Sequence, residues 1–211
     1  MSNAKQRRAP AERPQEILEA ALAQFVETGF AGTRLDDVAR RAGLSKAAIY
    51  LYFEDKTALF KGVVQHAVAS NVGRMEAMLA DHRGPVAPLL PRILEFMADR
   101  IEHSPMAAVA KLVLSESRAF PEIGQFYLKE VIGRGLPLME RLIKRGMEQG
   151  EFRKVDAFLT VRSMMSPMLL AILWRTVFEP IGADKLDVQA LARHHADLML
   201  HALRPAAGDV A

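Results

Sequence analysis

The 211-residue sequence predicts an all-α fold of about nine helices. A small N-terminal module with a helix-turn-helix comes first and a larger helical domain follows. Three observations lead there. Apolar residues recur at helical spacing through nearly every segment. Strand-like alternation bounded by turn residues is absent. Glycine, proline, serine and aspartate fall where helices start and stop.

The elements follow in order. The first helix is expected over about 14–28, with Ile17, Leu18, Ala21, Leu22 and Phe25 on one stripe and Gly29 as its stop. The second spans about 34–42, with Leu35, Val38 and Ala39 facing inward, and Gly43 ends it. Thr33 and Asp36 have the spacing of a capping box at its start. The third spans about 46–53 behind a Ser45 cap. A fourth, longer helix begins at Glu54-Asp55 and reaches Leu79. After the Gly84-Pro85 loop signal, five more are expected over roughly 86–103, 105–118, 121–149, 156–178 and 187–203. Gly133, Gly135 and Pro137 are expected to bend the third of these, and Pro167 the fourth.

Composition bounds the function. Half the residues are hydrophobic, enough for a sizeable core, and the net charge is only +3. The basic residues Lys5, Arg7, Arg8 and Arg13 precede the first helix with Glu12 as the acidic exception. This is either a solvated tail or a phosphate-seeking arm. With no cysteine, disulfides and thiolate metal sites are excluded. The polar start resembles no secretory signal. The apolar run Met164–Trp174 is too short to span a bilayer, which takes about 20 residues. A cytoplasmic protein is expected, with no membrane partner, metal or cofactor. His194 and His201 are two turns apart, roughly 10 Å along a helix, too far for one ion. No nucleophile elbow, phosphate loop or dinucleotide motif appears, so no enzyme is expected.

One constellation is specific. Two helices that cross steeply need a small residue where they touch, a glycine in the turn, and a branched apolar anchor on the second helix. Ala39, Gly43 and Ile49 occupy those places. Ile49 and Phe53 then share the inward face of the second helix, while Lys46 and Tyr50 share another. That other face is left for solvent or for the major groove of DNA. Ala47 and Ala48 allow close approach to base edges, and Tyr50 and Tyr52 can donate to phosphate. Lys56 stands in the first turn of the next helix, where it opposes the helix dipole unless an anion is present. A phosphate would supply that anion, with Thr33 and Ser45 adding contacts.

The stretch "GFAGTRLDDVARRAGLSKAAIYLYFEDKTALF" resembles the DNA-binding domain of the TetR/AcrR family of transcriptional regulators. The pattern is Gly29-Phe30, Thr33, Val38-Ala39, Ala42-Gly43-Leu44-Ser45, Ile49-Tyr50, Phe53, Lys56 and Leu59-Phe60. Ala48 stands where such proteins often have glycine, and Tyr52 where they often have histidine. The resemblance implies an all-helical homodimer whose first three helices bind DNA, whose fourth links, and whose remaining helices bind a ligand and dimerise. The implied domains are a flexible arm 1–12, a DNA-binding domain 13–60 with the helix-turn-helix at 34–53, a linking helix 61–84, a ligand-binding and dimerisation domain 85–204, and a tail 205–211. The implied DNA-contacting set is Thr33, Arg34, Ser45, Lys46, Ala47, Ala48, Tyr50, Tyr52 and Lys56.

Beyond residue 85 the sequence is less specific. A ligand pocket is implied by the resemblance, with Phe96, Met97, Phe126, Met139, Met164, Met168 and Trp174 as candidates, since methionine adapts its shape and aromatics stack on flat ligands. The same residues at helical spacing also read as plain core. Arg118, Glu130 and Arg134 are candidate polar anchors or simply surface. The helices at 156–178 and 187–203 carry too many apolar positions for one buried stripe, so a second subunit is expected against Phe158, Met165, Leu169, Leu191, His195, Leu198 and Met199. The expected function is a ligand-responsive homodimeric repressor of a palindromic operator, released by a small hydrophobic or aromatic effector. The rivals are a DNA-binding regulator without a small ligand, and a helical binding protein or enzyme whose helix-turn-helix no longer meets DNA.

Overall fold

A computed structural model describes residues 13–80 and 82–205, with only the backbone described at Arg13 and Met78. The expected basic arm 1–12 and, apart from Pro205, the expected tail 205–211 lie outside the described residues. Among the described residues the regular elements are helices: α1 Arg13–Gly32, α2 Leu35–Arg41, α3 Lys46–Tyr50, α4 56–80, α5 Leu89–His103, α6 Met106–Glu116, α7 121–148, α8 Ala157–Ile181 and α9 Val188–Leu203. Two of them change register partway, α4 through a π-helical turn at Gln65–Ala69 and α7 through another at Leu128–Ile132. α8 closes in a π turn, Trp174–Phe178, and a short 3-10 turn.

The chain forms two compact units. One holds the residues up to His66 together with Leu112–Phe126, and the other holds Ala67–Lys111 with the chain from Tyr127 onward. The first unit is built around phenylalanine. Phe25 stacks on Phe30 with centroids 5.7 Å apart, and Phe60 meets both edge-on at 5.3 and 5.5 Å. Phe120 closes on Phe30 at 4.8 Å. Such edge-to-face pairs add about 0.5–1.5 kcal/mol each beyond the area they bury. Ile17, Ala21, Val38, Ile49, Leu59 and Ile123 complete this core.

The second unit packs Leu90, Ile93, Leu94 and Ala98 of α5 with Met139 and Ile143 of α7, Val161, Met164 and Met168 of α8, and Val188, Ala192 and Ala196 of α9. Glu151 accepts from the amides of Val86 and Ala87, both at 2.8 Å. This carboxylate satisfies two donors ahead of α5 that no helical carbonyl reaches.

Gly29 breaks the first helix as expected, with non-helical φ 72° and ψ 171°, and a short further turn follows across the kink to Gly32. Two expectations change. The capping box is absent. Arg34 is the N-cap of α2 and no side chain caps it. Thr33 folds back instead, with its hydroxyl 2.7 Å from the Gly29 carbonyl and 2.9 Å from the Thr28 hydroxyl. Finally, the apolar stretch around Met164–Trp174 lies in a 25-residue helix, Ala157–Ile181, which is long and apolar enough, by length and composition, to cross a membrane.

Gly62 marks the closest approach beneath α3. A Cβ there would lie 2.8 Å from Phe53 Cε1 and 2.9 Å from Leu18 Cδ2. Gly62→Ala should therefore lower stability by about 1–3 kcal/mol through overpacking. Urea unfolding should show a lower midpoint at unchanged slope.

Candidate nucleic-acid interface

The turn between α2 and α3 follows from backbone chemistry. Gly43 adopts φ +66°, where residues with a Cβ are strained. Its N–H donates to the Arg40 carbonyl at 3.2 Å, and the Leu44 N–H reaches the Ala39 carbonyl at 2.9 Å. This paired closure ends α2 and turns the chain. Ser45 then caps α3, its hydroxyl accepting from the Ala48 N–H at 3.2 Å. The regular part of α3 is five residues, shorter than the expected 46–53. Helical hydrogen bonding nevertheless runs on, because the Phe53 N–H donates to the Ile49 carbonyl at 3.0 Å.

Ile49 is fully buried and Phe53 half-buried beneath this segment, while Arg34, Ser45, Lys46, Ala47, Tyr50 and Tyr52 are exposed and Ala48 is half-buried. Six of the expected contact residues are therefore open to solvent and Ala48 is partly so. Lys46 has a partner of its own: Nζ lies 3.0 Å from Asp36 Oδ2 on α2. The hydrogen bond and charge of Asp36 raise the lysine's pKa. Both side chains are about half exposed, so a phosphate can compete for the ammonium.

Thr33 and Lys56 are placed differently. Thr33 is 2 % exposed, with its hydroxyl engaged inside the last turn of α1. Lys56 Nζ donates to the carbonyls of Phe30 at 2.7 Å and Ala31 at 3.2 Å, and lies 4.6 Å from the centre of the Phe30 ring. It closes the C-terminal end of α1, where a cation complements the helix dipole. Burial pushes its pKa down, and the Glu116 carboxylate works against that shift. Glu116 also accepts from the Phe30 N–H at 3.1 Å. The anion expected at the start of α4 is the chain's own Asp55, which accepts from the Ala58 N–H at 2.7 Å.

The expected pocket residues have the following surroundings. Met97, Met139, Met164 and Met168 pack in the core of the second unit. Phe96 lies beneath Arg100. Trp174 donates to the Asp184 carbonyl at 2.8 Å and meets Phe178 at 5.6 Å. Phe126 belongs to the first unit, with Lys61 Nζ 5.8 Å from its ring. A cleft of about 480 Å³ opens elsewhere, between the 70–80 part of α4 and the 133–148 part of α7. It is lined by Glu76, Leu79, Ala80, Leu138, Arg141, Leu142 and Arg145. Arg145 donates to the His82 carbonyl at 2.9 Å, while its Nε and Nη2 are buried and have no hydrogen-bond partner among the described residues. Arg134, an expected anchor, pairs with Glu76 at 2.6 Å. Leu138, Arg141, Leu142 and Arg145 recur at three- and four-residue steps, a pattern legible in the sequence but not singled out there.

Of the expected subunit-contact residues, Phe158, Leu169 and Leu198 are large, apolar and about half exposed. Met165, Leu191 and Met199 are partly buried against the core. His195 is half-buried.

A helix-turn-helix with an exposed polar and aromatic outer face, carried by an otherwise helical chain, defines a class: a DNA-binding regulator of the all-α kind. The comparisons with known proteins agree. Residues 17–63 match the bacterial regulatory proteins of the tetR family, and residues 88–203, more than half the chain, match the C-terminal domain of AefR-like transcriptional repressors. The chain belongs to the TetR family of transcriptional regulators. It is 25 % identical over 184 residues to the HTH-type transcriptional regulator YfiR of Bacillus subtilis, covering 86 % of this chain and 87 % of that protein. It is also 25 % identical over 187 residues to the HTH-type transcriptional repressor KstR2 of Mycolicibacterium smegmatis, covering 87 % and 89 %. In fold it is similar to FadR of Bacillus subtilis in complex with stearoyl-CoA, with a TM-score of 0.73 at 18 % identity over 90 % of this chain and 99 % of that one.

Burial lowers the pKa of His195, opposed by backbone contacts at Met164 and Ser163 and reinforced by His194. The folded chain thus holds the imidazole neutral to lower pH than the unfolded chain does. Its contribution to stability is full above the ordinary value of 6.5 and is lost as pH falls through the depressed folded value. Urea midpoints compared between about pH 7 and pH 5 should fall, and His195→Gln should flatten that fall.

Proposed function

We propose that this chain is a homodimeric repressor that binds a palindromic operator through α3 and is released by a small hydrophobic effector. The observation that carries the DNA half is the geometry of residues 45–52. Ile49 and Phe53 hold the segment from beneath, and Lys46, Ala47, Tyr50 and Tyr52 stand exposed above. Lys46 and the tyrosine hydroxyls serve phosphate, Ala47 and Ala48 keep the backbone close to base edges, and Arg34 and Ser45 add contacts from the two helix starts. Thr33 and Lys56 support this surface from behind. Such a protein works in the cytoplasm, where its DNA lies.

The dimer is supported by the exposed Phe158, Leu169 and Leu198 on α8 and α9. Two-fold symmetry would match two half-sites about 34–36 Å or a multiple apart. The effector half is supported by relatives. One fold neighbour holds stearoyl-CoA, and the Fatty acid metabolism regulator protein of Bacillus subtilis is 24 % identical over 195 residues. Ligand that prefers a conformation with badly spaced α3 helices would weaken operator binding by its preference between states, typically about 1–3 kcal/mol. A second reading, a regulator without a small ligand, is favoured by one fact: the candidate methionines Met97, Met139, Met164 and Met168 are packed in or against the core of the second unit.

Selection of genomic fragments with the purified chain tests the reading directly. A palindromic site should emerge, and stearoyl-CoA is the first release probe. Equal operator affinity with and without every probe would leave the second reading. Lys46→Ala should weaken binding to the selected duplex and lower its salt slope by about one, while an unchanged slope would remove Lys46 from the phosphate contacts. Phe158→Glu with Leu198→Glu should give monomers in sedimentation and weaken operator binding, whereas a persistent dimer would move the subunit contact elsewhere.

A further inference from the structure

The most exposed large apolar side chain of the α3 segment is not one of the expected contacts. Leu51 is 82 % exposed, against 49 % for Tyr50 and 39 % for Tyr52. It keeps helical backbone angles, φ −67° and ψ −22°. At about 100° per residue, Ile49 and Phe53 bracket the inward direction and Leu51 points almost opposite to them. Ala47, one turn earlier, is the small exposed residue on the same line. Lys46 and Tyr50 flank this ridge on one side, Ala48 and Tyr52 on the other.

A leucine has no donor or acceptor. It reads neither the hydrogen-bonding pattern of base edges nor a phosphate. The feature of the major groove that an aliphatic side chain distinguishes is the 5-methyl group of thymine. On the reading that α3 enters that groove, we propose that Leu51 is a specificity-determining residue that selects thymine at one position of each half-site. Its place at the crest brings its branched end to the groove floor ahead of the flanking tyrosines.

The test uses the full chain and the duplex obtained by fragment selection, with each thymine of a half-site replaced in turn by deoxyuridine, which removes the methyl alone. At one position the replacement should weaken binding of the unaltered chain about fourfold, the worth of one buried methyl. In Leu51→Ala that penalty should vanish, while circular dichroism stays unchanged because the side chain is exposed. Indifference of the unaltered chain to every replacement would overturn the inference, and so would a penalty that survives in Leu51→Ala. Those outcomes leave DNA binding intact. Failure to select any duplex would remove the proposed function, and this inference with it.

Discussion

Burial of Ile49 and Phe53 beneath five residues of helix is the constraint on which the outer surface depends. A helix as short as α3 has no stability of its own, since isolated helices below about 12–15 residues are marginal in water. Its shape is imposed from outside. Gly43 turns the chain, Ser45 satisfies an open amide, and the two apolar anchors fix the rotation. Rotation is the quantity that matters, because a turn of one residue would exchange the Lys46–Tyr50 side for the buried side. Gly62 completes the arrangement by letting α4 pass close under Phe53.

The cations of the first unit divide into two kinds. Lys56 is structural: two carbonyls and the Phe30 ring surround its ammonium, and Glu116 supplies the counter-charge. Its removal would open the end of α1 just past the Gly29 kink. Lys46 is held more lightly, by a half-exposed Asp36, where water screens the pair. On the proposed reading, a row of DNA phosphates competes with such a bond. Asp36 thus keeps the lysine oriented when no duplex is present without locking it away.

Much of this was legible in the sequence, where the information is local. The spacing of Ala39, Gly43 and Ile49 states the helix-turn-helix because sterics at a steep crossing admit few alternatives. Helix positions beyond residue 85 follow from periodicity and from Asp156 and Asp187, which stand at the starts of α8 and α9 and cap them. The failures are where the partner is distant or competing. Thr33 and Asp36 have capping-box spacing, but the kink at Gly29 offers the Thr33 hydroxyl a nearer carbonyl. Lys56 finds its partners 25 and 26 residues back, and Phe120 closes a cluster begun at Phe25, separations over which no periodicity speaks. The cleft residues Arg141 and Arg145 went unread because arginines on an amphipathic helix ordinarily mean a solvated face.

The net charge of +3 bears on how such a surface discriminates. Non-specific affinity for DNA grows with each phosphate neutralised. Lys46 is paired with Asp36, Arg40 with Asp37 and Arg41 with Glu27, so three cations of α2 and α3 carry their own counter-charges. On the proposed reading this lowers generic attraction and leaves more of the binding energy to contacts that depend on sequence. An aliphatic crest suits that division, since it gains only where a methyl meets it and gains nothing from the backbone. In a two-fold dimer each such contact occurs twice, so a preference of about fourfold per half-site compounds to about fifteenfold across the operator. On the proposed reading, such a crest raises the ratio between right and wrong sites, the ratio that governs occupancy when competing sequence is abundant.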